Sequence, residues 1–185
     1  MFHRVDDGLY RATVAVLADA GWDGLTLERV AERAGRSRVT LWRKGISRES
    51  LIEALLRRLA EDYRDAMLPV LTAAGDARAR LERAMHALCD VVDAHADLLS
   101  VSDDMFHRAT ALGNVPLKFL DPFVTGVRAA RAEKTLHAKG TDAELADVLF
   151  NSAAWSYLHL RARHGWPAAK TRRLLFFTLL EGVLR

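Results

Sequence analysis

The sequence predicts an all-α protein of about nine helices. Apolar residues recur at spacings of three and four residues along the 185-residue chain, which is typical of helices that bury one face. Alternation of β-branched and aromatic residues, which marks half-buried strands, is scarce. We expect a small helical domain over residues 1–47 and a larger helical bundle over residues 48–185.

The composition indicates a soluble, cytoplasmic protein with no membrane partner. No run approaches the roughly 20 consecutive apolar residues that a membrane-spanning helix needs. The first ten residues, MFHRVDDGLY, lack the apolar stretch of a secretory signal. The single cysteine, Cys89, excludes an intramolecular disulfide. The net charge of +3 is modest, so the distribution of charge is more informative than its sum.

The first two helices are predicted at residues 6–20 and 27–34. Gly21 can adopt the left-handed conformation that often follows a helix. Thr26 is expected to be an N-cap, because its hydroxyl can accept a hydrogen bond from a free backbone N–H group. Gly35 is expected to end the second helix.

A short third helix is predicted at residues 38–44, with Ser37 as its N-cap. With Leu41 on the core side, a rotation of about 100° per residue puts Val39 and Arg43 on the opposite face. Five basic residues and no acidic one lie between positions 36 and 48: Arg36, Arg38, Arg43, Lys44 and Arg48. A helix-turn-helix with such a basic segment is suited to place one helix in the major groove of DNA. Residues 1–47 are therefore predicted to be a DNA-binding domain.

Six further helices are predicted in the larger domain. They span residues 48–68, 77–94, 98–111, a segment beginning near Pro116 or Pro122 and ending near 138, then 142–164, and 167 to nearly 185. The first has an inner stripe of Leu51, Leu55, Leu59 and Tyr63. Thr141 and Glu144 have the spacing of a capping box, in which each side chain binds the backbone N–H of the other residue.

The segment from Leu9 to Leu51 carries a set of short motifs. They are Ala18-Asp19-Ala20-Gly21-Trp22, Leu25-Thr26, Val30-Ala31-x-x-Ala34-Gly35, Ser37-x-x-Thr40-Leu41-Trp42 and Ser47-Arg48-Glu49-x-Leu51. In these motifs, and in their spacing without a gap, the chain resembles the tetracycline-repressor (TetR) family of bacterial transcription regulators. Beyond Leu51 the resemblance is one of helix number, helix length and total length. It implies a regulator whose C-terminal helices form a dimer interface and a ligand pocket.

Four residues depart from the pattern of that family. Trp42 stands where tyrosine is usual, Arg48 where lysine is usual, and Val39 where a glycine or another small residue is frequent. Gly45 stands where an aromatic residue normally packs the end of the recognition helix. We expect the loss of that ring to loosen the helix end unless Ile46 replaces it.

Ten residues are predicted to contact DNA. Arg38, Val39 and Arg43 are expected at base edges, where arginine can bind guanine through two hydrogen bonds and valine can touch a thymine methyl group. The phosphates are assigned to Thr26, Thr40, Trp42, Lys44 and Arg48. Arg36 and Ser37, at the start of the recognition helix, complete the set. Because one such unit buries little surface, useful affinity requires a homodimer on a palindromic operator in double-stranded DNA.

The last two helices are the predicted dimer interface, because they carry more apolar surface than one core stripe requires. The residues concerned are Phe150, Ala154, Tyr157, Leu158, Phe176, Phe177 and Leu180. The alternative is that these side chains are simply buried within one subunit.

The resemblance also implies a small-molecule effector bound among the helices of the larger domain. Candidate lining residues are Met85, Cys89, Phe106, Phe119, Phe123, Val127, Phe150, Asn151 and Trp155, with His86, Asn151 and His159 as polar groups. Such residues are also common in ordinary cores, and the sequence does not separate the two. A ligand would favour the dimer state whose recognition helices no longer match the groove, and would thereby release a repressor.

Other functions have weaker support in the sequence. A non-specific, nucleoid-type DNA-binding protein is the first alternative, and a helical enzyme is the second. Asp103-Asp104 with His107 is the nearest approach to a catalytic cluster, and no companion motif accompanies it. His159 and His164 are five residues apart, a spacing that does not put them on one helical face, so no metal site and no cofactor are predicted.

Overall fold

The computed structural model describes residues 5–101 and 119–184, and the all-α prediction is confirmed. Within these ranges there are nine helices and no strand. They are α1 Asp7–Gly24, α2 Leu27–Arg33, α3 Arg38–Arg43, α4 Arg48–Thr72, α5 Ala77–Ala94, α6 Ala96–Ser100, α7 Asp121–Ala132, α8 Asp142–Ala162 and α9 Ala168–Val183. None of these helices is both long and apolar enough to cross a membrane.

The described residues form two compact units. The first unit comprises residues 5–60 with 97–101, and the second comprises residues 61–96 with 119–184. The predicted domain division at residue 47 stays a prediction.

The first unit is built around apolar residues of α1 to α4. Asp6 caps α1 by accepting a hydrogen bond from the Leu9 backbone N–H at 3.0 Å. The helix was expected to end at Ala20, but it continues to Gly24 across a kink. The kink lies at Gly21, where φ is 64°, so the predicted left-handed glycine is confirmed, and a further helical turn follows it. The core residues are Leu9, Val16, Leu17, Leu25, Val30, Leu41, Ile46, Leu51, Leu55 and Leu59.

The second unit is a bundle in which α5, α7, α8 and α9 pack against one another. A Cβ atom on Gly126 of α7 would lie 2.5 Å from a Leu81 methyl carbon of α5, so only glycine allows these two helices to approach so closely. The predicted capping box of α8 is confirmed: Thr141 Oγ1 accepts from the Glu144 N–H at 3.2 Å, and Glu144 accepts from the Thr141 N–H at 2.8 Å. Gly165 follows α8 with a φ of 63°, and Pro167 directly precedes α9.

Two further predicted helix ends are wrong. The helix expected to end at residue 68 runs through Pro69 to Thr72. The helix expected to reach residue 138 ends at Ala132, because the following segment pairs with the end of α9. In that segment the His137 N–H donates to the Val183 carbonyl at 3.1 Å. This contact is distant in sequence and has no local signal.

The predicted helix at residues 98–111 is only partly testable. The structure has α6 at Ala96–Ser100, and the rest of the predicted helix lies outside the described residues. The predicted turn at Gly113-Asn114, Pro116 and the cluster of Asp103, Asp104 and His107 lie there too.

Candidate nucleic-acid interface

The turn between α2 and α3 is held by local backbone chemistry. Thr26 Oγ1 accepts from the Arg29 N–H at 3.3 Å, which confirms the predicted N-cap. Gly35 has a φ of 63°, a conformation that favours glycine, and it lets the Arg36 N–H reach the Ala31 carbonyl at 2.8 Å. Ser37 occupies the N-cap position of α3, as predicted, but its side chain makes no capping hydrogen bond.

The α3 helix is attached to the first unit through a single apolar side chain of its own. From residue 35 to residue 45 every residue is exposed except Leu41, which is fully buried. Val39 is 62% exposed and Trp42 is 71% exposed, values that are unusual for large apolar residues. The predicted rotation of the helix, with Leu41 inward and Val39 outward, is therefore confirmed.

The C-terminal end of α3 is closed by Gly45 and Ile46. Gly45 has a φ of 70°, and its N–H donates to the Trp42 carbonyl at 2.9 Å. Ile46 is only 4% exposed, and its N–H donates to the Leu41 carbonyl at 3.0 Å. Ile46 thus supplies the apolar anchor at the end of α3. Glycine at position 45 suits a backbone conformation that would strain an aromatic residue.

Two of the predicted DNA-contacting arginines form ion pairs with their own chain. Arg36 binds both carboxylate oxygens of Asp6, at 2.6 and 3.0 Å. This pair and the hydrogen bond from the Leu9 N–H lower the pKa of the Asp6 carboxyl below its usual range. Arg38 Nε lies 2.5 Å from a carboxylate oxygen of Glu28 on α2, and both side chains are exposed.

A third predicted DNA-contacting arginine, Arg48, binds backbone carbonyls of its own chain. Its Nε donates to the Leu25 carbonyl at 2.8 Å, and its Nη2 donates to the Trp22 carbonyl at 2.9 Å. This geometry ties the start of α4 to the end of α1. The sequence assigned Arg48 to a phosphate because a cation is usual at this position, and it gave no signal of the two carbonyls.

Arg43 and Lys44 remain as the cations available on this surface. No acidic side chain in the described part of the chain pairs with either, and both side chains are exposed. Ser37 and Thr40, two further predicted contacts, are exposed as well. The surface formed by residues 37–44 therefore presents hydroxyl groups, an indole, an isopropyl group, the Arg38 guanidinium paired with Glu28, and two cations that form no ion pair within the described residues.

The residues predicted to line a ligand pocket lie largely in the core of the second unit. Met85, Cys89, Phe123 and Val127 are fully buried, and Phe119 and Phe150 are nearly so. Burial raises the pKa of the Cys89 thiol to about 12, so the thiol stays protonated and inert. Phe106 lies outside the described residues.

Asn151, one of the polar groups proposed for that pocket, binds neighbouring side chains along α8. Trp155 Nε1 donates to Asn151 Oδ1 at 3.1 Å, and Asn151 Nδ2 donates to the Asp147 side chain at 2.7 Å. Both Asn151 and Trp155 are partly exposed, in contrast to the buried apolar residues. His86 lies elsewhere, in an open cleft of about 580 Å³ that is also lined by Arg172, Arg173 and Phe176.

Six of the seven residues predicted for the dimer interface are covered within their own chain. Phe150, Ala154, Tyr157, Leu158, Phe176 and Leu180 are at most 8% exposed, whereas Phe177 is 64% exposed. Apolar richness in α8 and α9 therefore reflects burial inside the second unit for most of these side chains. The exposed large apolar side chains on the two helices are instead Val148, Leu174 and Phe177.

His159 and His164 lie close together although they do not share a helical face, because His164 is beyond the end of α8. The chain folds back after α8, and the two Nε2 atoms lie 3.1 Å apart. In residues 5–101 and 119–184 no group of three or more histidine, cysteine or carboxylate side chains is arranged to hold a metal ion.

Comparison with known proteins identifies the N-terminal part of the chain. Residues 9–55 match the family described as bacterial regulatory proteins, tetR family. Over these residues the chain is similar to the DNA-binding region of the tetR family. The matched segment contains α2, α3 and most of α1, so it includes the exposed surface of α3 and the residues that support it. No curated protein matches the chain by sequence.

Several solved structures of regulators share the fold along almost the whole chain. The MbdR regulator from Azoarcus sp. CIB has 16% identity and a TM-score of 0.77, and the match covers 97% of this chain and 98% of that one. The ketosteroid transcriptional regulator KstR2 of Mycobacterium tuberculosis has 16% identity and a TM-score of 0.72, over 100% and 98%. The regulator FadR from Bacillus subtilis, in complex with stearoyl-CoA, has 10% identity and a TM-score of 0.73, over 95% and 97%. Identities this low establish a common fold and nothing finer.

Proposed function

We propose that this protein is a homodimeric repressor of the tetR type that places α3 in the major groove of a palindromic operator. The observation that carries the proposal is the exposure of residues 35–45 around the single buried anchor Leu41. A surface helix without a binding partner does not normally present a valine and a tryptophan to water beside two cations. Apolar and cationic groups together suit a groove that offers thymine methyl groups, guanine acceptors and phosphates.

The proposed roles follow from exposure and pairing. Arg43 and Val39 contact base edges, while Thr40, Trp42 and Lys44 contact phosphates and fix the register. Arg38 reaches a base only by leaving Glu28, so its contact depends on an exchange of partners. Ser37 and Thr26 remain candidates for phosphate contacts through their hydroxyl protons. Arg36 and Arg48 act indirectly, by holding α1, α3 and α4 in position.

The proposed dimer uses a surface of α8 and α9. Val148, Leu174 and Phe177 are 58%, 42% and 64% exposed, and α8 and α9 pack against each other in the second unit. Leu174 and Phe177 are three residues apart and therefore lie on one face of α9. A second copy of the chain would cover these side chains and supply the second recognition helix that a palindromic operator requires.

The proposed effector is a small, largely apolar molecule bound in the second unit. Its support is the aromatic core around Phe150, whose ring lies 5.7 Å from that of Phe123 and 6.3 Å from that of Phe119. Two regulators of the same fold point to ligands of this kind, since FadR was solved with stearoyl-CoA and KstR2 is a ketosteroid regulator. Binding would release DNA by favouring a dimer state that does not fit the operator.

The test begins with the DNA that the full-length protein selects from random sequences and from the region flanking its own gene. A footprint confined to one palindrome is expected. Arg43→Ala should then lose about 10- to 100-fold in affinity on the selected operator and much less on an operator altered at the one base pair it contacts. Lys44→Ala should weaken binding to all sequences by a similar factor.

The matched control is Arg173→Ala, which removes the same charge from an exposed position on α9. It should bind the operator like the unmodified protein. Equal losses for Arg43→Ala on every single-base variant would contradict a base contact. A footprint that covers random DNA uniformly would favour the nucleoid-type alternative over a regulator.

A further inference from the structure

Two histidine rings meet at the C-terminal end of α8. His159 lies in the last turns of the helix and His164 lies two residues beyond its end. Their Nε2 atoms are 3.1 Å apart, their ring centroids are 4.9 Å apart, and both side chains are exposed. We propose that His159 and His164 form a binding site for a divalent transition-metal ion of the zinc, nickel and copper group.

The separation of the two nitrogens suits bidentate ligation. With each nitrogen about 2.05 Å from an ion, the 3.1 Å separation corresponds to an N–metal–N angle of roughly 100°. This angle lies between the tetrahedral and square-planar values that zinc, nickel and copper adopt, and neutral imidazole is a ligand that all three accept. The separation of the two nitrogens therefore needs little change to bind an ion, while the rings turn so that both lone pairs point at it.

The chain turns back after α8, and this turn positions His164 independently of any attraction between the rings. Gly165 has a φ of 63°, and the Trp166 N–H donates to the Leu160 carbonyl at 3.0 Å. Arg161 Nη1 donates to the Trp166 carbonyl at 2.9 Å, while its Nε is held by Asp93 at 3.1 Å. A backbone fixed in this way reduces the entropy that two exposed side chains would otherwise lose on binding.

Without an ion, the two Nε2 atoms can share one proton in a hydrogen bond, with one ring as donor and the other as acceptor. When a metal ion binds both nitrogens, the donor ring releases its Nε2 proton to water and takes up a proton at Nδ1, so both rings bind the ion as neutral imidazoles. In the described ranges no third histidine, cysteine or carboxylate joins the pair, so water completes the coordination. Exposure of both rings leaves room for these waters and for entry of the ion.

The test is a calorimetric titration of the full-length protein, freed of metal by a chelator, with Zn²⁺ and then with Ni²⁺. One ion per chain is expected. His159→Gln and His164→Gln should each lower the affinity at least about tenfold, since each removes one of two protein ligands. His137→Gln is the matched control, because His137 is also exposed but lies on the segment after α7. It should bind the ion like the unmodified protein.

A second measurement uses the unmodified protein and so does not depend on the folding of any variant. In a long-range ¹H–¹⁵N NMR spectrum, Zn²⁺ should perturb the imidazole signals of two of the seven histidines. Absence of binding, unchanged affinity in His159→Gln and His164→Gln, or an equal loss in His137→Gln would overturn the proposal. Perturbation of other imidazoles in place of this pair would overturn it as well.

Discussion

Three arginines near α3 bind groups of their own chain. Arg36 holds Asp6, Arg38 holds Glu28, and Arg48 holds two backbone carbonyls. A guanidinium offers five N–H donors in a fixed plane, so it can join two backbone segments that a lysine would join less well. Three of the five basic residues around α3 therefore hold it in position, while Arg43 and Lys44 are available to bind a partner.

Arg48→Ala should lower the free energy of unfolding of the first unit by about 2 kcal/mol. The variant loses charge-assisted hydrogen bonds to the Trp22 and Leu25 carbonyls, which become unsatisfied. Arg48→Lys should lower the free energy of unfolding by about half as much, because one ammonium group cannot reproduce the hydrogen bonds to both carbonyls. Urea denaturation followed by circular dichroism measures the difference.

Arg43→Ala is the control for Arg48→Ala. Its side chain is exposed and forms no ion pair within the described residues, so a change within about 0.5 kcal/mol is expected. Equal stability of the Arg48→Ala and Arg43→Ala proteins would show that Arg48 has no structural role.

At the scale of single elements, the end of α3 depends on the backbone conformation of Gly45. Gly45→Ala should lower the free energy of unfolding by about 1 kcal/mol, because a Cβ atom strains a residue with a φ of 70°.

Gly182→Ala on α9 is the opposite case. Nothing lies within 4 Å of the added methyl group and the position is helical, so the same substitution should stabilise by about 0.5–1 kcal/mol. Thermal denaturation of both proteins compares them, and a stabilised Gly45→Ala variant would contradict the role given to this glycine.

Asp93 of α5 joins α8 and α9 through a network of hydrogen bonds. It accepts from Tyr157 Oη at 2.6 Å, from Arg161 Nε at 3.1 Å and from Arg172 Nη2 at 3.0 Å. Burial alone would raise the pKa of Asp93, but these hydrogen bonds outweigh it and leave the pKa below its usual value. The network therefore stabilises the second unit only while Asp93 is ionised.

A dependence of stability on pH follows from the lowered pKa of Asp93. The folded pKa lies below the unfolded one, so the contribution is complete above about pH 4 and disappears as the pH falls through the folded value. Asp93→Asn should lower stability at pH 7 by about 2 kcal/mol and should weaken the loss of stability on acidification. Urea titrations at pH 7 and in the acid range measure both effects. Asp65→Asn, at an exposed position of α4, is the control and should change stability by less than about 0.5 kcal/mol.

At the scale of the whole molecule, local signals in the sequence predicted more than distant ones. Thr26 and the capping box of Thr141 act within three residues, so pattern alone located them. The ion pair of Arg36 with Asp6 joins residues thirty positions apart, and no local sequence pattern predicts it. Apolar residues of α8 and α9 could be counted in the sequence, but whether a helix neighbour or a second copy covers them depends on the packing of the bundle.

The surface proposed for dimerisation is tested by Leu174→Glu. A carboxylate within a covered apolar surface must lose its water without gaining a partner. The dissociation constant of the dimer should therefore rise at least about tenfold. Leu68→Glu is the control, since Leu68 on α4 is 49% exposed and Leu174 is 42% exposed. Light scattering on a sizing column at micromolar concentrations distinguishes the two species. A monomeric unmodified protein, or a dimer that persists in Leu174→Glu, would contradict the proposed interface.

The pairing of Arg36, Arg38 and Arg48 within the chain has a consequence for how the regulator would find its operator. With Lys44 as the one cation assigned to a phosphate that is unpaired within the described residues, a dimer would neutralise about two phosphates, so log affinity should fall with log salt concentration at a slope near −2. Five such cations per chain would give a slope of about −9. A shallow slope means a weak hold on arbitrary sequences at cellular ionic strength. The protein would then bind non-operator DNA only briefly and dissociate often. Its residence time on the operator would be set by the contacts of Val39 and Arg43 with bases.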